Sequence, residues 1–206
     1  MAQKPIQIAD TKTIAAPIYA NPAAVGLGAF ASTTLLLQFH NLGLIGDGVV
    51  MWMAFFFGGL AQFIAGFQEF KTGNNFGFAA FVTYGAFWIS LGGIFLALNT
   101  GFLGTNIKGV PDVGYFLIIF TILTFIYLFG AMRQNFALAT VFLSLLVGYI
   151  LLDIYFLGGA HAWLTVAGYE LIFCAASAYY LMAHVVLTPL GINIPAGKPW
   201  MRPAQD

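Results

Sequence analysis

The chain has 206 residues, is 61% hydrophobic and only 7% charged, and carries a formal net charge of zero. A soluble domain has about a quarter charged residues, so this composition excludes a water-facing surface on all sides, and the balanced charge leaves no basic footprint for nucleic acid. With a mean hydropathy of +0.91 and apolar runs that are long rather than short and alternating, the chain reads as an all-α integral membrane protein, not an outer-membrane barrel.

Residues 1–20 lack the charged-then-apolar pattern of a cleaved signal peptide. They read as an exposed cytoplasmic tail. Six apolar segments follow, at 24–43, 49–70, 76–98, 113–132, 136–157 and 162–187. Each is close to the ~20 residues that a helix needs to cross a bilayer. The breaks between them are turn-forming: GLIGDG at Gly43–Gly48, KTGNN at Lys71–Asn75, a long Gly/Asn/Pro-rich connection from Asn99 to Asp112, MRQN at Met132–Asn135 and a tight glycine link at Gly158–Ala160. After the sixth segment, Pro189, Pro195, Pro199 and Pro203 oppose further regular helix. The expected division is therefore a tail over 1–20, a six-helix domain over 21–187 and a second cytoplasmic tail over 188–206.

Six crossings put both termini on one side. Lys4, Lys12, Lys71, Arg133, Lys198 and Arg202 then share that side, with only Lys108 opposite. The positive-inside rule makes that side cytoplasmic, in a multi-pass protein of the cell (plasma) membrane.

Asn21 and Pro22 form a helix-start signal, cap then first position, whose free N–H groups favour an anion. Gly26, Phe30, Thr33, Leu37 and His40 recur at helical spacing as one stripe. His40 reads as an interfacial hydrogen-bonding residue. In the second segment Gln62 lies in mid-span, with Glu69 seven residues on. A lipid-buried amide is costly unless paired or facing a cavity, so Gln62 is a pore candidate. Glu69, beside Lys71, reads equally as a salt-bridged helix end or as a gating group. Gly58, Gly59, Gly66, Gly85, Gly92 and Gly93 read as small residues for close helix packing. Tyr84 needs a partner for its hydroxyl. Asp153 and Glu170 lie inside apolar segments toward the outer leaflet and are candidate vestibule or gating carboxyls, with His161 near enough in sequence to join them. Cys174 is the single cysteine, so no intrachain disulfide forms. No pair of His or Cys has ligand spacing and no nucleotide-binding motif is present. No catalytic residue, metal or cofactor is expected.

Several motifs in order carry a resemblance: Asn21–Leu27 (NPAAVGL, against the usual NPAPLGL), Thr33–Asn41 (TTLLLQFHN), Gly58–Gly77, Ala79–Trp88 (AAFVTYGAFW), Val141–Leu145 (VFLSL) and Cys174–Tyr180 (CAASAYY). Over residues 21 to 187 the chain resembles the acetate uptake transporter family of acetate/succinate–proton symporters. The resemblance implies six helices per subunit in a homo-hexameric ring with one pore per subunit. It implies a hydrophobic constriction of Phe30, Tyr84 and Leu145, with Asn21, Thr33 and Gln62 as pore-lining groups. Ala178 matches a small position that influences substrate size. Acetate, other small carboxylates such as succinate, and protons are the implied partners, besides the lipid bilayer. The chain departs from the family pattern at the end of the sixth helix, where Ala183-His184-Val185-Val186 replaces a Gly-Glu-Val pattern, and at Asp153 and Glu170. An ammonium or other small-solute channel, and a non-transporting membrane subunit or anchor, stay open as alternatives.

Overall fold

The computed structural model of the protein describes residues 20–101, 107 and 110–201. Lys4, Lys12, Lys108 and Arg202 of the charge asymmetry, and the N-terminal tail up to residue 19, lie outside the described residues.

The elements are α1 (Ala23–Asn41), α2 (Asp47–Met53), a π-helical stretch (Ala54–Ala61), α3 (Gln62–Thr72), α4 (Asn75–Thr100), α5 (Val110–Met132), α6 (Phe136–Phe156), α7 (Ala162–Leu187) and a 3₁₀ turn (Thr188–Leu190). α2, the π stretch and α3 form one rod, Asp47–Thr72, so six rods are long and apolar enough to cross a membrane. Their ends agree with the apolar segments to within three residues. The largest shift is at α5, which starts at Val110 because Pro111 suits a first helical turn.

The turns follow from their residues. Gly73 adopts φ +77° and ends α3, a left-handed conformation that glycine takes without a Cβ clash. Asn74 then caps α4 by accepting from Gly77 N at 3.0 Å, and Asn135 caps α6 by accepting from Leu138 N at 2.9 Å. In both, one orphan N–H of the helix start is met by a short polar side chain.

The π stretch corrects the sequence reading, which took this span as ordinary α-helix. Its wider turn lies where α1 and α4 both press on the rod. A Cβ on Gly58 would come 2.6 Å from Thr33 Oγ1. On α4, a Cβ at Gly85 would come 2.7 Å from the backbone nitrogen of Phe63. α3 and α4 therefore meet backbone to backbone, as small residues permit in lipid. Gly93, by contrast, has no atom within 4 Å of its would-be Cβ.

α1 packs between α7 on one side and the π stretch and α3 on the other. α7 packs on α6, α6 on α5 and α3 on α4, while a short α4–α5 contact closes the ring. Inside it, Phe30, Tyr84, Phe87, Trp88, Phe142, Leu145 and Tyr149 belong to one buried cluster. Outside, Trp52, Phe56 and Phe67 on the second rod and Ile119, Ile122, Phe125 and Phe129 on α5 are exposed. A bundle apolar on both its inner and outer faces is a membrane architecture.

Among the described residues no α-helix forms beyond the 3₁₀ turn, in line with the prolines. Residues 191–201 are nonetheless tied down and run back across one end of the bundle. Ile192 N donates to Leu187 O at 3.1 Å, Ala137 N to Ala196 O at 2.9 Å and Met201 N to Met132 O at 3.0 Å. Tyr180 Oη donates to Pro195 O at 2.7 Å, and the Trp200 ring packs on Phe136 with centroids 5.5 Å apart.

Candidate functional site

Two cavities open inside the ring. The inner one, about 240 Å³, lies at the end where α1 begins and α7 finishes. It is lined by Asn21, Phe30, Gln62, Glu69, Asn74, Tyr84, Gln134, Asn135, Phe142, Leu145 and His184, among others. The outer one, about 920 Å³, lies at the opposite end and includes Leu37, His40, Asp47, Phe87, Leu117, Leu152 and His161. No residue lines both. On α4 the inner cavity stops at Tyr84 and the outer one starts at Phe87, a rise of only about 4.5 Å. On α1 the corresponding pair is Phe30 and Leu37, about 10.5 Å apart. The closed layer is one to two helical turns thick.

That layer is aromatic and aliphatic. Phe30, Tyr84 and Leu145 are each 3–5% exposed, and all three reach the inner cavity. The Phe30 and Tyr84 rings lie 5.8 Å apart, and Phe142 adds a third ring 6.1 Å from Tyr84. Behind them Phe87 meets Tyr149 at 5.7 Å, edge to face. The Tyr84 hydroxyl is held by Thr124 on α5, 2.8 Å away. Thr124 has one proton and gives it to Phe120 O at 2.6 Å, so Tyr84 is the donor of the pair. The phenol is anchored sideways on α5 and its ring is left as wall.

The polar groups sit on the inner side of this layer. Gln62, the first residue after the π stretch, is 1% exposed, and its Oε1 has no hydrogen-bond partner among the described residues. Glu69 is 2% exposed. Asn74 Nδ2 donates to its Oε2 at 2.9 Å, and Thr72 Oγ1 lies within 3.3 Å of the same oxygen. Among the described residues these bonds, and none to Lys71, hold the carboxylate, and its Oε1 is buried without a partner. Asn74 thus does two things, capping α4 and clamping Glu69. Replacing it with alanine is expected to cost about 1 kcal/mol for the cap alone. A lowered Tm in detergent, with a drop larger than for Asn135→Ala, checks that the Glu69 clamp adds to the cap.

Asn21 also lines the inner cavity, though the helix cap falls one residue later, at Pro22. The Asn21 carboxamide accepts from Ala23 N at 2.9 Å. Thr33 is fully buried against Gly58, its hydroxyl without a partner among the described residues, at the level of the closed layer. Ala178 is also fully buried at that level and lines neither cavity.

Asp153 and Glu170 are placed differently. Neither lines the outer cavity. Asp153 Oδ2 accepts from Thr121 Oγ1 at 2.6 Å, bridging α6 to α5. Glu170 Oε1 accepts from Ser144 Oγ at 2.6 Å, bridging α7 to α6. The Cys174 thiol continues that seam toward Val141 O at 3.6 Å. No His161–carboxyl cluster forms among the described residues; the His161 ring packs instead on Tyr155, 5.8 Å away. His40 directs Nδ1 to Ile45 O at 3.2 Å.

Sequence reasoning missed Phe142, Phe87, Tyr149, Asn74 and the fully buried Gln38. A signal for some of them exists. Phe142, Leu145, Tyr149 and Leu152 recur at spacings of three, four and three, which is one helix face. Gln38 is held within α1, donating to Thr34 O at 3.0 Å and accepting from Asn41 at 2.9 Å.

Known proteins are similar to this chain in sequence and in fold. The succinate-acetate/proton symporter SatP of Escherichia coli K12 is 40% identical over 169 residues, covering 82% of this chain and 89% of that protein. Acetate permease A of Emericella nidulans is 37% identical over 158 residues, 69% of this chain and 51% of that longer protein. A solved structure of the bacterial acetate channel SatP superimposes with a TM-score of 0.82 at 38% identity, over 87% of this chain and 100% of that one. The GPR1/FUN34/yaaH family description matches residues 7–195, and with that match over most of its length and the agreement in fold, the chain belongs to the GPR1/FUN34/yaaH family.

Proposed function

We propose that this protein carries acetate, and other small carboxylates such as succinate, across the cell membrane by proton-coupled or channel-like transport. The observation that carries the reading is the pair of cavities on either side of a thin layer of Phe30, Tyr84 and Leu145. A small carboxylic acid titrates at about 4.3, much like a glutamate side chain, so at neutral pH it is an anion that lipid rejects. The side-chain amide N–H groups of Gln62 and Asn21, both lining the inner cavity, offer fixed donors to that anion in place of water. The dry layer then passes a small carboxylate and turns away larger or strongly hydrated ions. Thr33 and Ala178 shape the layer from behind. Asp153 and Glu170 act as helix-to-helix ties that hold its wall in place. No catalytic step is involved.

Both termini, with the tails over 1–20 and 188–206, are assigned to the cytoplasm. Lys71, Arg133 and Lys198 support this, since they lie in the last turn of α3, the α5–α6 turn and the returning tail, all at the inner-cavity end. Assembly as a homo-hexamer, one path per subunit, belongs to the same proposal. The test is radiolabelled acetate and ammonium flux into proteoliposomes under clamped voltage, with and without a pH gradient. Acetate uptake is expected, with ammonium at background. Absence of acetate flux overturns the proposal, and insensitivity to the gradient assigns the channel mode.

A further inference from the structure

His184 lines the inner cavity near the end of α7. Its Nδ1 is bound to the carbonyl of Ile194, in the tail that returns across the bundle, and Thr188 Oγ1 lies 3.3 Å from the same nitrogen. A carbonyl can only accept, so Nδ1 carries the proton, and Nε2 is the nitrogen left to act in the cavity. Among the described lining residues, His184 is the one side chain able to carry positive charge. Glu69 across the cavity is the one carboxylate, and Tyr84 is committed to Thr124. α1 and α6 bring no charged group to this end, and Arg133 and Lys198 are exposed. Any anion arriving here meets the Glu69 carboxylate and needs a cation to offset it.

We infer that His184 is the carboxylate-binding group of the inner mouth, receiving the substrate through Nε2 as an acid–base pair, with its ring pre-set by the returning tail. This rests on the acetate reading above. A neutral ring accepts the O–H of a carboxylic acid at Nε2. If that O–H bond breaks and an Nε2–H bond forms, the result is an imidazolium paired with the carboxylate. The two states have the same atoms and total charge, so proton and carboxylate are held together at one nitrogen. Release of both reverses the step.

The measurement is the half-saturation for acetate uptake from each face, in proteoliposomes whose orientation is scored by protease access to a C-terminal tag. His184→Ala is expected to raise half-saturation about tenfold at the C-terminal face, the loss of one charge-assisted hydrogen bond, and to leave the opposite face little changed. His184→Gln keeps an N–H donor near the Nε2 position but cannot exchange a proton. It is expected to retain most of the affinity while losing proton movement that accompanies acetate. A second readout does not depend on transport: in protein carrying ¹⁵N-labelled histidine, the resonance that disappears in His184→Ala shifts saturably with acetate and not with methylammonium. If wild-type protein moves acetate but His184→Ala has normal half-saturation at both faces and the resonance is unmoved, the inference is overturned and the transport reading stands. It is equally overturned if His184→Ala and a chain ending at Gly191 lower Tm alike without altering half-saturation, since His184 then serves only to latch the tail. If the resonance shifts but no acetate crosses, the transport reading falls and the binding site stands.

Discussion

Protein carrying Leu145→Ala is expected to take up succinate at a rate much closer to its rate for acetate than the wild type does. Leu145 forms part of the layer that closes the inner cavity, and it is only 5% exposed. Its neighbours there are rings. Phe30, Tyr84 and Phe142 cannot swing freely, because Tyr84 is anchored to Thr124 and the rings pack against each other at 5.8 and 6.1 Å. The space vacated by the isobutyl group is therefore retained, as happens when a packed wall relaxes only partly. A size filter built from apolar contacts discriminates by roughly tenfold or more per missing methylene-sized increment, so the succinate-to-acetate ratio is expected to rise on the order of tenfold. Phe30→Ala should act in the same direction. Both changes remove buried side chains, at about 2–5 kcal/mol each in a packed core, so Tm and monodispersity in detergent are read beside uptake. An unchanged substrate ranking in both folded variants removes these residues from the selectivity layer.

Gln62→Leu should uncouple stability from transport. The amide is 1% exposed and its Oε1 has no partner among the described residues. A buried polar group left unpaired costs about 1–3 kcal/mol, a cost that evolution tolerates where something else needs the group. Leucine removes that cost without deleting any hydrogen bond that the oxygen makes. Tm is thus expected to hold or rise, while acetate uptake falls more than about tenfold through loss of a donor to the carboxylate at its most desolvated point. A residue retained for packing alone would give the opposite pattern, a lower Tm with uptake intact. The pair of measurements on one variant decides between the two roles.

Much of the molecule was legible before any coordinates. The six spans follow from apolar runs near the length that a bilayer demands, and their ends follow from Gly73, Asn74, Pro111 and Asn135 acting as local punctuation. The candidate lining was legible in part. Phe30 and Leu37 do lie on one stripe of α1, but the stripe serves two separate cavities, with Thr33 packed on Gly58 between them. Glu69, balanced between a salt-bridged end and a gate, is buried beside the cavity through Asn74, whose clamping role depends on a turn that only Gly73 allows. The placement of Asp153 and Glu170 was not legible, because each finds its partner, Thr121 or Ser144, on a different helix at 32 and 26 residues' separation. The returning tail was read as a plain terminus because its ties are backbone carbonyls, which carry no sequence signature.

The sequence by itself determined that the chain crosses the membrane six times, which residues end each span and which few polar groups must find partners inside it. Those are consequences of composition and local geometry. Only the tertiary structure decided which polar groups converge on a cavity, that two cavities face each other across a thin buried layer, and that the second rod turns π-helical where α1 and α4 press on it. The reason is physical. When helices are apolar on every side, periodicity no longer says which side faces the axis, and the choice is left to where small residues such as Gly58 and Gly85 let neighbouring rods come close.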